Sequence, residues 1–164
     1  MNIIYYIVFF FWYLLSLLPL PVLYVFSDLL YFPLYYCVRY RRRIVRKNLT
    51  ESFPELSKEK VIRIEKQYYH FFCDYIIETI KLFSISKKQL KKRMTFGGVE
   101  EIVRKMKAEE KNFCFVYLGH YCNWEWIASL PYWAPDDILC GQIYHPLYNK
   151  AFDKLFLRLR NQFG

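Results

Sequence analysis

Charge is almost missing from the start of this 164-residue chain: residues 1–38 hold one charged side chain, Asp28. The other charged residues all follow, so the chain reads as two objects in series, an apolar N-terminal segment and a basic body. A basic n-region and a small-residue cleavage site are also missing, which excludes a secretory signal peptide. C-x-x-C spacing is missing too, and the cysteines number five (Cys37, Cys73, Cys114, Cys122 and Cys140). An odd count without that spacing excludes a disulfide framework and a cysteine metal cluster, and leaves free thiols in a reducing compartment. Zinc-finger spacing and the RNA-binding sheet signature are likewise missing, so the net charge of +9 does not indicate nucleic acid. There is no internal repeat and no low-complexity tract. No metal and no cofactor is expected.

What is present begins with grease: 55% of residues are hydrophobic and 21% aromatic, rich for a soluble protein. The opening "MNIIYYIVFFFWYLLSLLPLPVLYVF" carries no charge. As a helix its first 18 residues rise about 27 Å, against roughly 30 Å of hydrocarbon core. Pro19 and Pro21 break or kink that helix. A second apolar segment, "LLYFPLYYCV", follows Asp28. Tyr5, Tyr6, Trp12, Tyr13 and Tyr24 suit an interfacial belt. Residues 1–38 are therefore expected to be a retained membrane anchor, spanning once or lying partly in the interface; the alternative is a pair of buried core helices. "RYRRRIVRK" (residues 39–47) follows directly, with six cations. Such a flank marks the cytoplasmic side of a membrane, and each cation adds roughly 1 kcal/mol near an anionic leaflet. On that side the Asn48-Leu49-Thr50 glycosylation triplet is accidental.

The body, 39–164, opens helical, with a turn at Phe53-Pro54 and a new helix from Ser57, whose hydroxyl forms half a capping box at best. Between Val61 and Phe83, polar residues at 63, 67, 70, 74, 78 and 81 form a stripe of helical period on an otherwise apolar and aromatic helix. His70 and Asp74 are one turn apart on it, read as a partly exposed histidine near a carboxylate. "SISKKQLKKRMTFGG" reads as a short basic helix running into a strand, and "VEEIVRKMKAEEK" as an amphipathic helix with Val99, Ile102, Val103 and Met106 on one face. "NFCFVYLG" and "DDILCGQIYH" read as buried strands. "WIASLPYWA" starts as a helix and stops near Pro131; "NKAFDKLFLRLR" is a helix with Phe152, Leu155, Phe156 and Leu159 together. That alternation predicts an α/β body with at least a partly parallel sheet.

In such a sheet ligands collect at the carboxyl ends of strands, where "GHYCNWEW" (residues 119–126) falls. On a continuous helix, residues five apart point about 140° away from each other. His120 and Glu125 meet only if His120 lies on the loop and Glu125 on the first turn of the next helix, with Asn123 as cap and Gly119 permitting the sharp exit. A histidine accepts a proton near neutral pH, and a carboxylate on its other nitrogen fixes the tautomer and stabilises the imidazolium. The pair could activate a hydroxyl for attack on an acyl carbonyl. A rival chemistry uses Cys122 as thiol nucleophile, since His120 and Cys122 would share one face of a strand. A third possibility is a non-enzymatic membrane-anchored scaffold.

"GHYCNWEW" resembles the H-x4-D/E motif of lysophospholipid and lipid A acyltransferases. "LLSLLPLPVLYVFSDLLY", "YRRRIVRKNLTESFPE", "YHFFCDYIIETIKL" and "IYHPLYNKAFDKLFLRLRNQFG" resemble, in order, the lipid A late acyltransferase family. The resemblance covers essentially the whole chain. It implies a glycerolipid-acyltransferase-like α/β body with an N-terminal hydrophobic membrane helix, at the bacterial inner membrane, catalytic body facing the cytoplasm. It implies transfer of a fatty acyl chain from acyl carrier protein, less readily coenzyme A, to a hydroxyl of a lipid A precursor or, as the alternative, of another glycolipid or a phospholipid. His120 becomes the base and Glu125 its partner; Asn123 shapes the pocket floor; Arg160 holds a phosphate or carbonyl oxygen, with Arg158 as second choice. The family usually has Tyr-Arg-Pro where this chain has Tyr144-His145-Pro146, so His145 is expected to replace the arginine in part. The family also continues past Phe163-Gly164, which implies a C-terminally truncated member whose missing strands expose a sheet edge and open the acyl pocket.

Overall fold

A computed structural model describes residues 3–163 of the chain. The described residues divide into two compact units, one of residues 1–16 with 82–164 and one of residues 17–81.

The unit of residues 17–81 is helical. The Leu18-Pro19 break falls as expected: α1 (Ile3–Leu17) ends before it, and α2 (Leu20–Phe32) begins after it, with Pro19 extended at its cap and Pro21 in its first turn. Proline suits these positions because the first helical N–H groups have no intrahelical acceptor. A π-helical turn, Pro33–Val38, continues α2 and ends at Arg39, whose φ of 53° is left-handed; Arg41, at 52°, is left-handed as well. Two such residues bend the chain sharply into α3 (Arg42–Ser52). After the Phe53-Pro54 turn, α4 runs from Lys58 to Lys81. The Ser57 hydroxyl accepts the Lys60 N–H at 3.4 Å, a weak half of a capping box.

Packing of α4 on α2 adds partners to the polar stripe. His70 is exposed, Asp74 and Glu78 are half-buried, and Lys81 is buried. Ser27 donates to Asp74 at 2.6 Å, Tyr24 donates to Glu78 at 2.8 Å, and the Tyr31 ring stacks on His70 with centroids 3.7 Å apart. His70 therefore pairs with an aromatic face rather than with Asp74. Leu20, Leu23, Val61, Tyr69, Cys73, Ile77 and Ile80 fill the space between. Burial pushes the Cys73 thiol up to about 11; all five cysteines are free. Lys81, also buried, donates to the Leu18 carbonyl at 3.0 Å.

The other unit holds α5 (Lys87–Lys91), α6 (Val99–Ala108), a 3-10 helix (Trp124–Tyr132) and α7 (Lys150–Arg160), with the first part of α1. Its core joins Tyr5, Leu82, Phe83, Leu90, Trp126, Leu155, Leu159 and Phe163. Ser86 and Gln89 complete a full capping box on α5. The α6 face predicted from Val99, Ile102, Val103 and Met106 forms as a helix but buries none of these residues.

The α/β expectation is overturned: no strand or sheet occurs among the described residues. The segments read as strands, 112–119 and 136–145, and the run after α5, have no regular structure, and the first two do not pair. Phe113, Phe115, Val116, Tyr117 and Leu118 are each more than half exposed, and Leu139 and Ile143 almost wholly so. A strand exists only through ladder hydrogen bonds to a neighbour. An apolar, β-branched run gives the propensity but cannot supply the partner.

Candidate functional site

The residues singled out in the sequence lie in the unit that contains α7. Here α7 is the rigid element. The Asn149 side chain caps it, accepting from the Ala151 and Phe152 N–H groups at 3.0 and 3.3 Å. Ala151, Leu155 and Leu159, four residues apart, bury one stripe. Phe152 and Phe156 meet the Trp12 ring edge-on at 5.8 and 6.5 Å. Arg160, at the C-terminal end, is thus fixed by the packing of the whole helix. Asn149→Ala removes the cap and is expected to destabilise this unit by about 1 kcal/mol, read as a fall in the urea midpoint; no shift in that midpoint would show that packing alone holds α7.

Glu125 comes from the first turn of the 3-10 helix, where a carboxylate faces unpaired N–H groups. Its side chain is 4% exposed. Both oxygens are taken by one guanidinium: Arg160 Nη2 donates to Oε1 at 2.8 Å and Nε donates to Oε2 at 3.1 Å. This fork-to-fork pair joins residues 35 apart in sequence. Two parallel charge-assisted bonds fix the carboxylate plane as well as its position. The Arg160 guanidinium also lies 5.7 Å from the Tyr144 ring centroid and 5.5 Å from that of Phe156, two aromatic faces that the cation favours.

His120 lies outside that clamp. It is exposed, makes no hydrogen bond among the described residues, and sets its ring edge-on to Trp124 with centroids 4.8 Å apart. The loop between the two residues turns at Cys122, whose φ is 50°, and not at Gly119, whose φ is not positive. A one-residue turn closes earlier, from the Tyr121 N–H to the Gly119 carbonyl at 2.9 Å. With no strand here, the shared face expected for His120 and Cys122 does not form. Asn123 stands at the cap position of the 3-10 helix, but its side chain makes no cap bond.

Arg158 and His145 lie apart from this geometry. The Arg158 guanidinium rests 4.1 Å from the Phe9 ring centroid, on α1. His145 is exposed and its Nδ1 pairs with the Pro146 carbonyl at 2.9 Å. Its neighbour Tyr144 is the residue that reaches Arg160. Sequence reasoning passed over two members of the cluster, Tyr144 and Phe156. Phe156 was within reach of it, being four residues before Arg160 on one helix face; Tyr144 stood in the Tyr144-His145-Pro146 motif, but there the role went to His145. The Trp126 indole N–H, next to Glu125, is buried without a hydrogen-bond partner among the described residues. No group of three His, Cys, Asp or Glu side chains among them could hold a metal ion. A concavity lined by Phe96, Val99, Glu101, Arg104 and Trp133 opens beside α6 and includes none of the site residues.

The profile of one protein family, described as bacterial lipid A biosynthesis acyltransferase, matches residues 1–164. Comparison with curated proteins and with solved structures gave no match. Matched over its whole length, the chain belongs to the bacterial lipid A biosynthesis acyltransferase family.

Proposed function

We propose that the chain transfers a fatty acyl group from acyl carrier protein to a hydroxyl of a lipid A precursor, with His120 as general base and Glu125 as its partner. The observation that carries this reading is the buried Glu125 carboxylate, clamped by Arg160 five residues after an exposed histidine, in a member of this acyltransferase family.

Each carboxylate oxygen has two lone-pair positions, and Arg160 uses one on each. The remaining positions can accept the N–H of the His120 ring once the exposed 119–122 segment closes on substrate; catalytic hydrogen bonds often tighten only in the complex. The other ring nitrogen takes the hydroxyl proton of the acceptor. The acceptor oxygen then forms a bond to the thioester carbonyl carbon. Collapse of the tetrahedral adduct breaks the C–S bond, and the leaving thiolate recovers the proton from the imidazolium. Arg160 holds the carboxylate and presents its remaining N–H donors to a phosphate or carbonyl oxygen. Asn123 shapes the site floor, and His145 and Arg158, which lie apart from the clamp, are secondary substrate-binding candidates. The basic body suits an acidic carrier protein. Residues 1–38 and the cations after them keep the chain on the cytoplasmic face of the inner membrane, where the acceptor lipid is made.

The test is turnover of purified protein with acyl carrier protein thioester and a lipid A precursor. Cys122→Ala is expected to keep near-normal kcat/KM; abolished turnover would transfer the nucleophile role to the thiol. Another glycolipid as acceptor would leave turnover with the lipid A precursor near background but restore it with that lipid. Absence of turnover with every acceptor would leave a membrane-anchored scaffold.

A further inference from the structure

The second half of the N-terminal apolar stretch holds a pattern that membrane attachment alone does not explain. Residues Leu20 to Val38 form the one candidate membrane span among the described residues, 19 residues of mean hydropathy 1.3. Yet one face of this segment is matched, turn by turn and antiparallel, to polar groups of α4: Tyr24 to Glu78, Ser27 to Asp74, Tyr31 to His70 and Tyr35 to Glu65. Glu65 is fully buried and binds Arg42 and Arg46 besides Tyr35. A segment crossing the bilayer in this pairing would take those four α4 groups into hydrocarbon with it, where ionisable side chains are strongly disfavoured. Crossing without α4 would take from the Ser27 and Tyr35 hydroxyls the carboxylates that accept from them.

The opposite face is free of such partners. Val22, Val25, Phe26, Leu29 and Phe32 are 42–66% exposed. At about 100° per residue they fall within one half of the helix surface, opposite Leu20, Leu23 and Ser27. The band ends on cations. Of the six in residues 39–47, Arg42 and Arg46 turn inward to Glu65, while Arg39, Arg41 and Arg43 remain exposed. The left-handed backbone at Arg39 and Arg41 sets this division. An apolar face bordered by cations fits the surface of an anionic bilayer, where the side chains enter the acyl boundary and the guanidiniums meet phosphates.

From this pairing we infer that α2 does not cross the membrane: it lies in the plane of the anionic leaflet, α4 above it, with Val22, Val25, Phe26, Leu29 and Phe32 dipping into the lipid. The inference deepens the membrane seating proposed above. Its test uses the full chain on vesicles of phosphatidylglycerol and phosphatidylethanolamine carrying diazirine lipids, with the photolabel either near the headgroup or at the acyl terminus, and peptides read by mass spectrometry. Headgroup-proximal label is expected along all of residues 22–32, with terminal label weak throughout. Terminal label concentrated in the middle of the segment, with headgroup label only at its ends, would mean a span and overturn the inference. Absence of label from both probes in 22–32 would also overturn it. As a second measurement, Arg39→Gln/Arg41→Gln/Arg43→Gln should weaken flotation with these vesicles about tenfold or more; unchanged flotation counts against the charged border. Labelling does not depend on turnover, so an inactive but in-plane protein and an active but spanning one are told apart.

Discussion

His120→Ala is expected to lower kcat/KM for acyl transfer by about 10²–10⁴-fold, the usual worth of a general base, with the urea midpoint unchanged. The second half of that statement makes the first informative. His120 is exposed and makes no hydrogen bond among the described residues, where its loss removes an edge-on contact with Trp124. The variant separates chemistry from folding in a way Glu125 cannot. Glu125→Ala would leave the mostly buried Arg160 guanidinium without its carboxylate, and an unpaired buried charge costs stability of its own. His120→Gln should be as impaired as alanine, since an amide offers hydrogen bonds but no basic nitrogen. Either variant retaining a near-normal rate would remove His120 from the reaction.

Glu65→Ala is expected to destabilise the unit of residues 17–81 by about 3 kcal/mol, toward the lower end for breaking a buried ion pair, because Arg46 is 44% exposed and can rehydrate. Three groups lose their acceptor at once: Arg42 Nε at 3.0 Å, Arg46 Nε at 2.6 Å and the Tyr35 hydroxyl at 3.0 Å. A loss of that size is a large share of an ordinary domain's 5–15 kcal/mol. The pH dependence follows from the same contacts. Burial alone would raise the Glu65 carboxyl, but the hydrogen bonds from Arg46, Tyr35 and Arg42 outweigh it and hold it below the usual range. A depressed carboxylate contributes its stability above the ordinary value of about 4.3 and loses it as pH falls through the folded value. The gap between wild type and Glu65→Gln, followed by urea unfolding, should therefore be full at pH 7 and shrink below about pH 4. A gap that stays constant down to pH 3 would mean that the carboxylate is not what these arginines stabilise.

Glu65 also shows what a single sequence hides. The six cations of residues 39–47 read alike, as one basic flank. In the fold two of them face Glu65, about twenty residues downstream, and the other four face solvent. Nothing within nine residues records which is which, because the choice is made by the left-handed turns at Arg39 and Arg41 and by the position of α4.

Several features were set by local chemistry and were readable in order along the chain. Pro19 and Pro21 put the first helix break where the backbone loses donors. The Phe53-Pro54 turn and the Ser57 start bound α4, and the spacing of Phe152, Leu155, Phe156 and Leu159 marked α7, although the fold buries Ala151 with Leu155 and Leu159 and leaves Phe152 partly exposed. The ordered motifs carried the family. What depended on distant partners was decided only in three dimensions. Strand-like runs at 112–119 and 136–145 stayed irregular for want of a ladder neighbour. Glu125 engaged Arg160, 35 residues away, rather than a group five residues away, since a planar carboxylate is best satisfied by the two parallel donors of a guanidinium. Periodicity and turn residues act over a few positions and so are written in sequence; pairing across space is not.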